Sequence, residues 1–410
     1  MSRIVEIETV PCRLPRRREL ITGGRGTTNE ERLLLRLATD DGFEGWGEAT
    51  ALPLWGGVNG QYHGETVGTV GHVIHDLFAP VLLGADPMTP ALVMDALDGT
   101  LRGHVYAKST VEMALQDIRG KRLGEPVYRL LGGPFRDRVR IAHMIAIMSD
   151  AEALKEAESA VGGDGITAFQ VKGGRDPERD VRLVKKLRRA LGPEIFLRVD
   201  ANRGYGTQPK IVAAIGKRLE DAGVNALEQP GNSTAALAAC KHATGVPVIA
   251  DESCWQGHDV IQLAGADAVD AISLYVAKAG GMARAVEVGS MASLFGLPCD
   301  VNGSLESGIG TAASIQLAMA VRSANLPSVV SIPSLREREL TKVAGRYWLD
   351  DVVVEGFGYE KGHLILGDLP GLGIVVDSKR VERMAAPGRR VSVSRETVKR
   401  SARQRRKGRK

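Results

Sequence analysis

AFQVK at 168–172, FLRVD at 196–200, ALE at 226–228, VIAD at 248–251 and LYVAK at 274–278 are short apolar runs that each end on an ionisable residue. Those end residues, Lys172, Asp200, Glu228, Asp251 and Lys278, follow one another at intervals of 28, 28, 23 and 27 positions. A strand with its crossover helix takes roughly 25 residues, so each falls at the same level of a successive strand. IAHMIAIM (141–148), PCDVNGS (298–304) and SVVSIPS (328–334) share the pattern, and helical stretches such as Pro209–Ala222 separate most of the segments. Eight alternating strand-like segments imply parallel strands, and eight is the number that closes a TIM-like (β/α) barrel. An open doubly wound sheet is the alternative, but no G-x-G-x-x-G follows a strand.

In a barrel these end residues converge on the C-terminal mouth, where active sites of this architecture sit. Three carboxylates on adjacent strands raise one another's pKa unless a cation joins them, and oxygen ligands suit Mg2+ or Mn2+. Lys172 and Lys278 flank the trio in strand order, so they are expected to face each other across the mouth. Glu306 lies 28 positions beyond Lys278 and extends the series. A single charged residue at a strand end is ordinarily solvated; five in register are not readily explained that way.

Residues 1–130 read as a small α+β unit. Ile4–Thr9, Arg32–Leu37 and Gly45–Ala49 have strand character, and Val111, Ala114, Leu115 and Ile118 recur at helical spacing. Two glycine-rich loops interrupt it, one over Gly23–Thr28 with Arg25, the other over Leu54–His63 with Trp55, Tyr62 and His63. GHVYAKS at 103–109 lacks the second glycine of a phosphate loop. Residues 131–339 make the barrel, and 340–378 read as strands and turns that return to the N-terminal unit. From 379 to 410 the apolar residues thin out, which predicts a disordered basic tail.

The tail distorts the whole-chain charge. The 410 residues carry +5, yet positions 379–410 alone hold 14 Lys/Arg against two acids, leaving an acidic body. A basic run without interleaved aromatics or a known module argues against sequence-specific nucleic-acid binding; charge-driven polyanion binding by the tail is the rival function from another class. The hydrophobic content of 43% supports a large core. No apolar run reaches membrane-spanning length, no signal core opens the chain, and the four cysteines lack metal spacing, so a cytoplasmic protein with reduced thiols is expected.

These residues carry a resemblance. VKGG (171–174), VDAN (199–202), EQP (228–230), ADES (250–253), AKAGG (277–281) and LESGIGTAAS (305–314), in this order, resemble the enolase superfamily, mandelate racemase/muconate lactonizing enzyme group, over roughly residues 1–377. The resemblance implies a modified (β/α)7β barrel under an α+β cap built from the N-terminal region and a C-terminal segment. It implies Asp200, Glu228 and Asp251 as Mg2+ ligands, with Asn202 supporting them from the same strand face. Lys172 becomes the base on one substrate face and Lys278 the acid or base on the other, with Glu252 tuning the Lys278 side. The cap supplies the substrate loops, and the assembly is a homo-oligomer.

Many relatives have Lys-x-Lys where this chain has Gln170-Val171-Lys172. The base survives. Gln170 is free to donate to a substrate carboxylate, and Arg198, placed on the face of Asp200 by alternation, can supply part of the missing charge. The implied chemistry is removal of a proton α to a carboxylate, giving an enediolate that the metal stabilises. Burial and the nearby cation lower the lysine pKa so that it can accept the proton.

Several outcomes follow from such an intermediate. GHVYAKSTVEMALQDIRGKRLG with QVK and DANRGY is similar to hydroxyproline betaine epimerases and cis-3-hydroxyproline dehydratases, whereas LESGIG resembles muconate cycloisomerases. Racemisation or epimerisation of an amino-acid-type, proline-derived substrate is the leading expectation, with dehydration and cycloisomerisation behind it. Trp55 is a candidate for stacking on a substrate ammonium group.

Overall fold

The computed structural model describes residues 2–22, 31–336 and 338–394. Arg25 and the rest of the Gly23–Thr28 loop lie outside the described residues.

The N-terminal unit is an antiparallel sheet covered by helices. Strands β1 (Ile4–Arg13), β2 (Glu31–Thr39) and β3 (Glu44–Ala49) pair in sequence order. Helix Val105–Leu123 lies directly on β3. Two glycines allow this approach: a Cβ on Gly47 would stand 1.9 Å from the Thr110 carbonyl oxygen, and one on Gly45 would stand 2.1 Å from that of Ala114.

After the short β4 (Val139–Arg140) come seven parallel strands: β5 (His143–Ile145), β6 (Ala168–Lys172), β7 (Phe196–Asp200), β8 (Ala226–Glu228), β9 (Val248–Ala250), β10 (Ala271–Leu274) and β11 (Cys299–Val301). They form one sheet in sequence order. Helices on its outer side follow the capping signals in the sequence. Ser149 caps Asp150–Asp164 in a capping box with Glu152, and Asp176 caps Pro177–Leu191 with proline in the first turn. Val181, Val184 and Leu187 bury the inner stripe of the second.

The eighth expected strand, SVVSIPS, forms no extended ladder. Ser328 instead bridges to Ile141 beside one edge of the seven-stranded sheet, and the residues just before the segment reach the other edge through the bridge Cys299↔Ala324. Ala142 N–H donates to Ser328 O at 2.8 Å, and Leu326 N–H to Cys299 O at 3.0 Å. Pro327 and Pro333 have no N–H to give, which limits the segment to isolated bridges.

Beyond the barrel, β12 (Val353–Glu355), β13 (Phe357–Glu360), β14 (His363–Leu366) and β15 (Val375–Val376) form small sheets, β14 pairing with β4. Leu372 N–H donates to Asp117 of the cap helix at 2.9 Å. The expectation of disorder from residue 379 is corrected over the described part. Ser378–Met384 is a helix capped by Asp377, and β16 (Val391–Ser394) pairs with β1. Arg389 meets Glu31 at 2.8 Å and Arg390 meets Glu382 at 2.7 Å, while Ser392 Oγ donates to Glu6 at 3.0 Å. Most of the partners of this stretch lie far away in sequence, so its local composition did not reveal them. Residues 395–410, with most of the basic run, lie outside the described residues.

Candidate active site

Parallel register sets Lys172 beside Asp200 and Asp200 beside Glu228. Asp251 follows one residue after β9. Asp200, Glu228 and Asp251 are all buried, the first two with no exposed surface. The lysines close onto the ends of this trio. Lys172 ion-pairs with Asp200, and Lys278 Nζ stands 2.7 Å from Asp251 Oδ1. Asn202 bonds Asp200 from its backbone N–H at 2.8 Å and its Nδ2 at 3.2 Å. It does so from a left-handed turn (φ 44°) beyond the strand, not from the strand face.

Three supporting residues have partners within the protein. Gln170 Nε2 donates to Glu228 Oε2 at 2.8 Å, and the residue also lines the cavity, with its Oε1 buried and without a hydrogen-bond partner. Arg198 is fully buried inside the barrel; its Nε lies 3.1 Å from Glu228 Oε2, and Nη1 pairs with Asp300 on β11. It balances Glu228 and Asp300. Glu252 meets two other residues: Asn202 Nδ2 reaches its Oε1 at 3.4 Å, and Arg203 Nε stands 3.7 Å away.

The two lysines are not equivalent. Lys172 lines a cavity of about 300 Å³ between barrel mouth and cap. Lys278 sits on a helical turn, Val276–Ala279, rather than at a strand end, and is outside that lining. Its ammonium also donates to the Asp251 and Ser273 carbonyls at 2.8 Å each, which uses all three N–H groups. The Tyr275 ring centre is 4.5 Å from Lys278 Nζ and that of Trp55 is 5.8 Å away.

Burial and charge act on these groups in opposite senses. Burial pushes Glu228 well above the ordinary carboxylate range against the pull of Arg198, with Asp200 and Asp300 adding to the rise. Burial likewise raises Asp251 despite Lys278, and pushes Glu252 up to about 8, with Asp251 and Asp200 contributing. For Lys172 burial favours the neutral amine, yet Asp200 and Glu228 outweigh it and the pKa rises. The lowering expected from burial and a nearby cation together therefore depends on the cation, since burial by itself does not outweigh these two carboxylates.

On the cap side, Trp55 lines the cavity and packs on Tyr275 and Trp255, with centroids 4.9 and 5.3 Å apart. Tyr62 does not reach it; its ring stacks on Trp255 at 4.8 Å and its hydroxyl donates to Asp259 at 2.6 Å, pinning the cap loop to the barrel. His63 is exposed and outside the lining. Glu306 accepts from Ser304 N–H at 2.6 Å beside the cavity, and burial pushes its pKa up to about 7. Sequence reasoning missed Arg203, Tyr275 and Asp300. Arg203 and Tyr275 stand within or beside the quoted motifs, and Asp300 lies in the seventh apolar segment, where a buried carboxylate was the available signal.

Among the described residues, no group of three or more His, Cys, Asp or Glu is arranged as a formed metal site. The donor chemistry nevertheless fits a divalent cation. Three carboxylates meet at adjacent strand ends, Glu228 Oε1 is buried without a hydrogen-bond partner, and the positive charge now beside Asp200 and Asp251 comes from lysines.

A capped, curled parallel sheet with this row of strand-end carboxylates and lysines defines an enolase-superfamily enzyme. Residues 6–132 match the mandelate racemase / muconate lactonizing enzyme N-terminal domain, and residues 152–380 match the enolase C-terminal domain-like family. The chain belongs to the mandelate racemase / muconate lactonizing enzyme family. It is 31% identical to muconate cycloisomerase 1 of Rhodococcus opacus over 386 residues, covering 92% of this chain and 97% of the relative. It is 25% identical to N-succinyl-L-Arg/Lys racemase of Bacillus cereus over 384 residues, covering 93% and 98%. The substrate-liganded structure of L-Ala-D/L-Glu epimerase from Bacillus subtilis superposes with a TM-score of 0.81 at 27% identity, covering 91% and 99%.

Proposed function

We propose that this enzyme removes the proton α to a carboxylate and returns it, as a racemase or epimerase of an N-acylated or peptide-linked amino acid. The observation that carries this reading is the pair of buried lysines, each ion-paired with an end member of the carboxylate trio. Relatives that racemise N-succinyl-L-Arg/Lys or epimerise L-Ala-D/L-Glu support it. A proline-derived substrate stays within the class to be screened.

Asp200, Glu228 and Asp251 are the residues to hold a divalent metal, which family members generally use. When bound, Mg2+ or Mn2+ supplies the positive charge that offsets the second negative charge of the enediolate. Lys172, at the cavity wall, takes the α-proton. With Asp200 and Glu228 neutralised, burial is left to lower its pKa toward that role. Lys278 carries the proton on the opposite face once Asp251 turns from it. The cap, with Trp55 over Tyr275, excludes water from the carbanionic intermediate.

A specific observation favours a second reading. Only Lys172 meets the cavity, which suits a cycloisomerase that exchanges one proton on one face, and the identity to muconate cycloisomerase 1 points the same way.

The test is α-proton exchange in D2O with Mg2+ present, across N-acyl amino acids, dipeptides, N-modified and hydroxylated prolines, and muconate. Optical rotation and absorbance are followed in parallel. Exchange with loss of rotation supports the first reading, and conversion of muconate without racemisation supports the second. No exchange with any acid overturns both.

A further inference from the structure

Arg203 takes no part in the chemistry above, yet it is one of only two positively charged residues lining the cavity among the described residues; the other is Lys172, which is held by Asp200. Its backbone is unusual. Asn202 and Arg203 are consecutive non-glycine residues in the left-handed region, with φ of 44° and 68°. Arg203 N–H is fixed to the Gln229 carbonyl at 2.9 Å. Such strain persists only where the surroundings enforce it.

The guanidinium spans from barrel to cap. Nη1 donates to the Gly57 carbonyl at 2.8 Å, and Nε points toward Glu252 at 3.7 Å, beyond hydrogen-bond reach. Nη2 has no hydrogen-bond partner among the described residues, and a quarter of the side chain is exposed. Much of the remaining cap-side wall, Leu52 to Trp55, is apolar. A guanidinium three-quarters buried, with its Nη2 N–H groups unpartnered beside an apolar wall, favours a planar oxyanion.

We propose that Arg203 is a specificity-determining residue that binds a second carboxylate of the substrate, remote from the reacting one. The site therefore selects dicarboxylic substrates over monocarboxylic ones of the same shape. This rests on the carboxylate chemistry proposed above and names its substrate class. Because the same guanidinium holds the Gly57 carbonyl, the remote carboxylate also steadies the cap loop over the cavity.

The test compares two isosteres, N-succinyl-L-alanine and its terminal amide N-succinamoyl-L-alanine, by titration calorimetry with Mg2+ present. The wild-type enzyme is expected to bind the acid roughly tenfold tighter than the amide. In Arg203→Gln that ratio falls to within about twofold of unity, and Arg203→Lys restores part of it. Thermal melting of each variant checks the fold, and if Arg203→Gln does not fold the comparison rests on Arg203→Lys, whose ratio must fall below that of the wild type. Equal affinity for the two ligands, no binding of either, or a ratio unchanged in the folded variants overturns the assignment. The exchange assay is independent: preference for the acid without α-proton exchange removes the proton-transfer reading alone, and exchange without preference removes the Arg203 assignment alone.

Discussion

Lys278 holds Asp251 with all three of its ammonium N–H groups committed, one to the carboxylate at 2.7 Å and two to main-chain carbonyls at 2.8 Å. Lys172, across the trio, pairs with Asp200 but stays at the cavity wall. The same residue type is thus anchored on one side and available on the other.

Substituting either lysine is expected to abolish substrate turnover, with Lys172→Ala reducing α-proton exchange by roughly 10²- to 10⁴-fold. The two differ in stability. Lys278→Ala leaves a buried aspartate and two buried carbonyls without their donor and is expected to lower the melting temperature more than Lys172→Ala. Melting curves of the two variants measure this, and equal shifts contradict the asymmetry.

Arg198 and Asp300 pair across the barrel interior with neither side chain exposed. Arg198→Ala leaves Asp300 and Glu228 buried without a counter-charge and is expected to cost about 3–5 kcal/mol in urea unfolding. The double variant Arg198→Met, Asp300→Leu is expected to lose less than the single one, because Glu228 alone, and no longer Asp300 as well, is left without its counter-charge. A double variant no better than the single would disprove that account.

Glu306 has a folded-state pKa of about 7 against an ordinary 4.5, because it is buried. The folded protein therefore keeps a proton that the unfolded chain releases, so this stabilising contribution is complete below pH 4.5 and is lost as pH rises through 7. Its size is on the order of 3 kcal/mol. Glu306→Gln is expected to melt higher than the wild type at pH 8 and to lose that advantage at pH 5. Parallel melting profiles for the two proteins would refute the assignment.

Removing divalent metal with a chelator is expected to abolish exchange, and adding Mg2+ or Mn2+ to restore it. Binding to the folded state alone also raises stability, by about 2.7 kcal/mol at a hundredfold excess over Kd. Asp200→Asn is expected to remove that metal-dependent shift in melting temperature. Full activity in a chelator-treated, metal-analysed sample would exclude the metal reading.

Tyr62 and Asp259 join the cap loop to the barrel through a 2.6 Å hydrogen bond. Tyr62→Phe removes the hydroxyl and keeps the stacking on Trp255. It is expected to raise KM several-fold with little change in kcat, since the loop covers the cavity and the chemistry lies on the barrel floor. Steady-state kinetics separates the two, and a fall in kcat alone contradicts a loop-positioning role.

The spacing of Lys172, Asp200, Glu228, Asp251 and Lys278 determined the parallel barrel and the membership of its charged floor. Strand alternation and unit length are local properties, repeated along the chain, so the sequence alone carries them. Composition likewise separated the acidic body from the basic end. Tertiary structure decided what distant groups do to one another. It turned Arg198 inward to Asp300, committed Gln170 to Glu228, and hid Lys278 while leaving Lys172 at the wall. It brought Arg203 to the Gly57 carbonyl and gave Val391–Ser394 a partner strand at β1. Each of these depends on a partner that local sequence does not name. A charged side chain's role is set by which opposite charge, carbonyl or apolar wall the fold brings within about 4 Å of it.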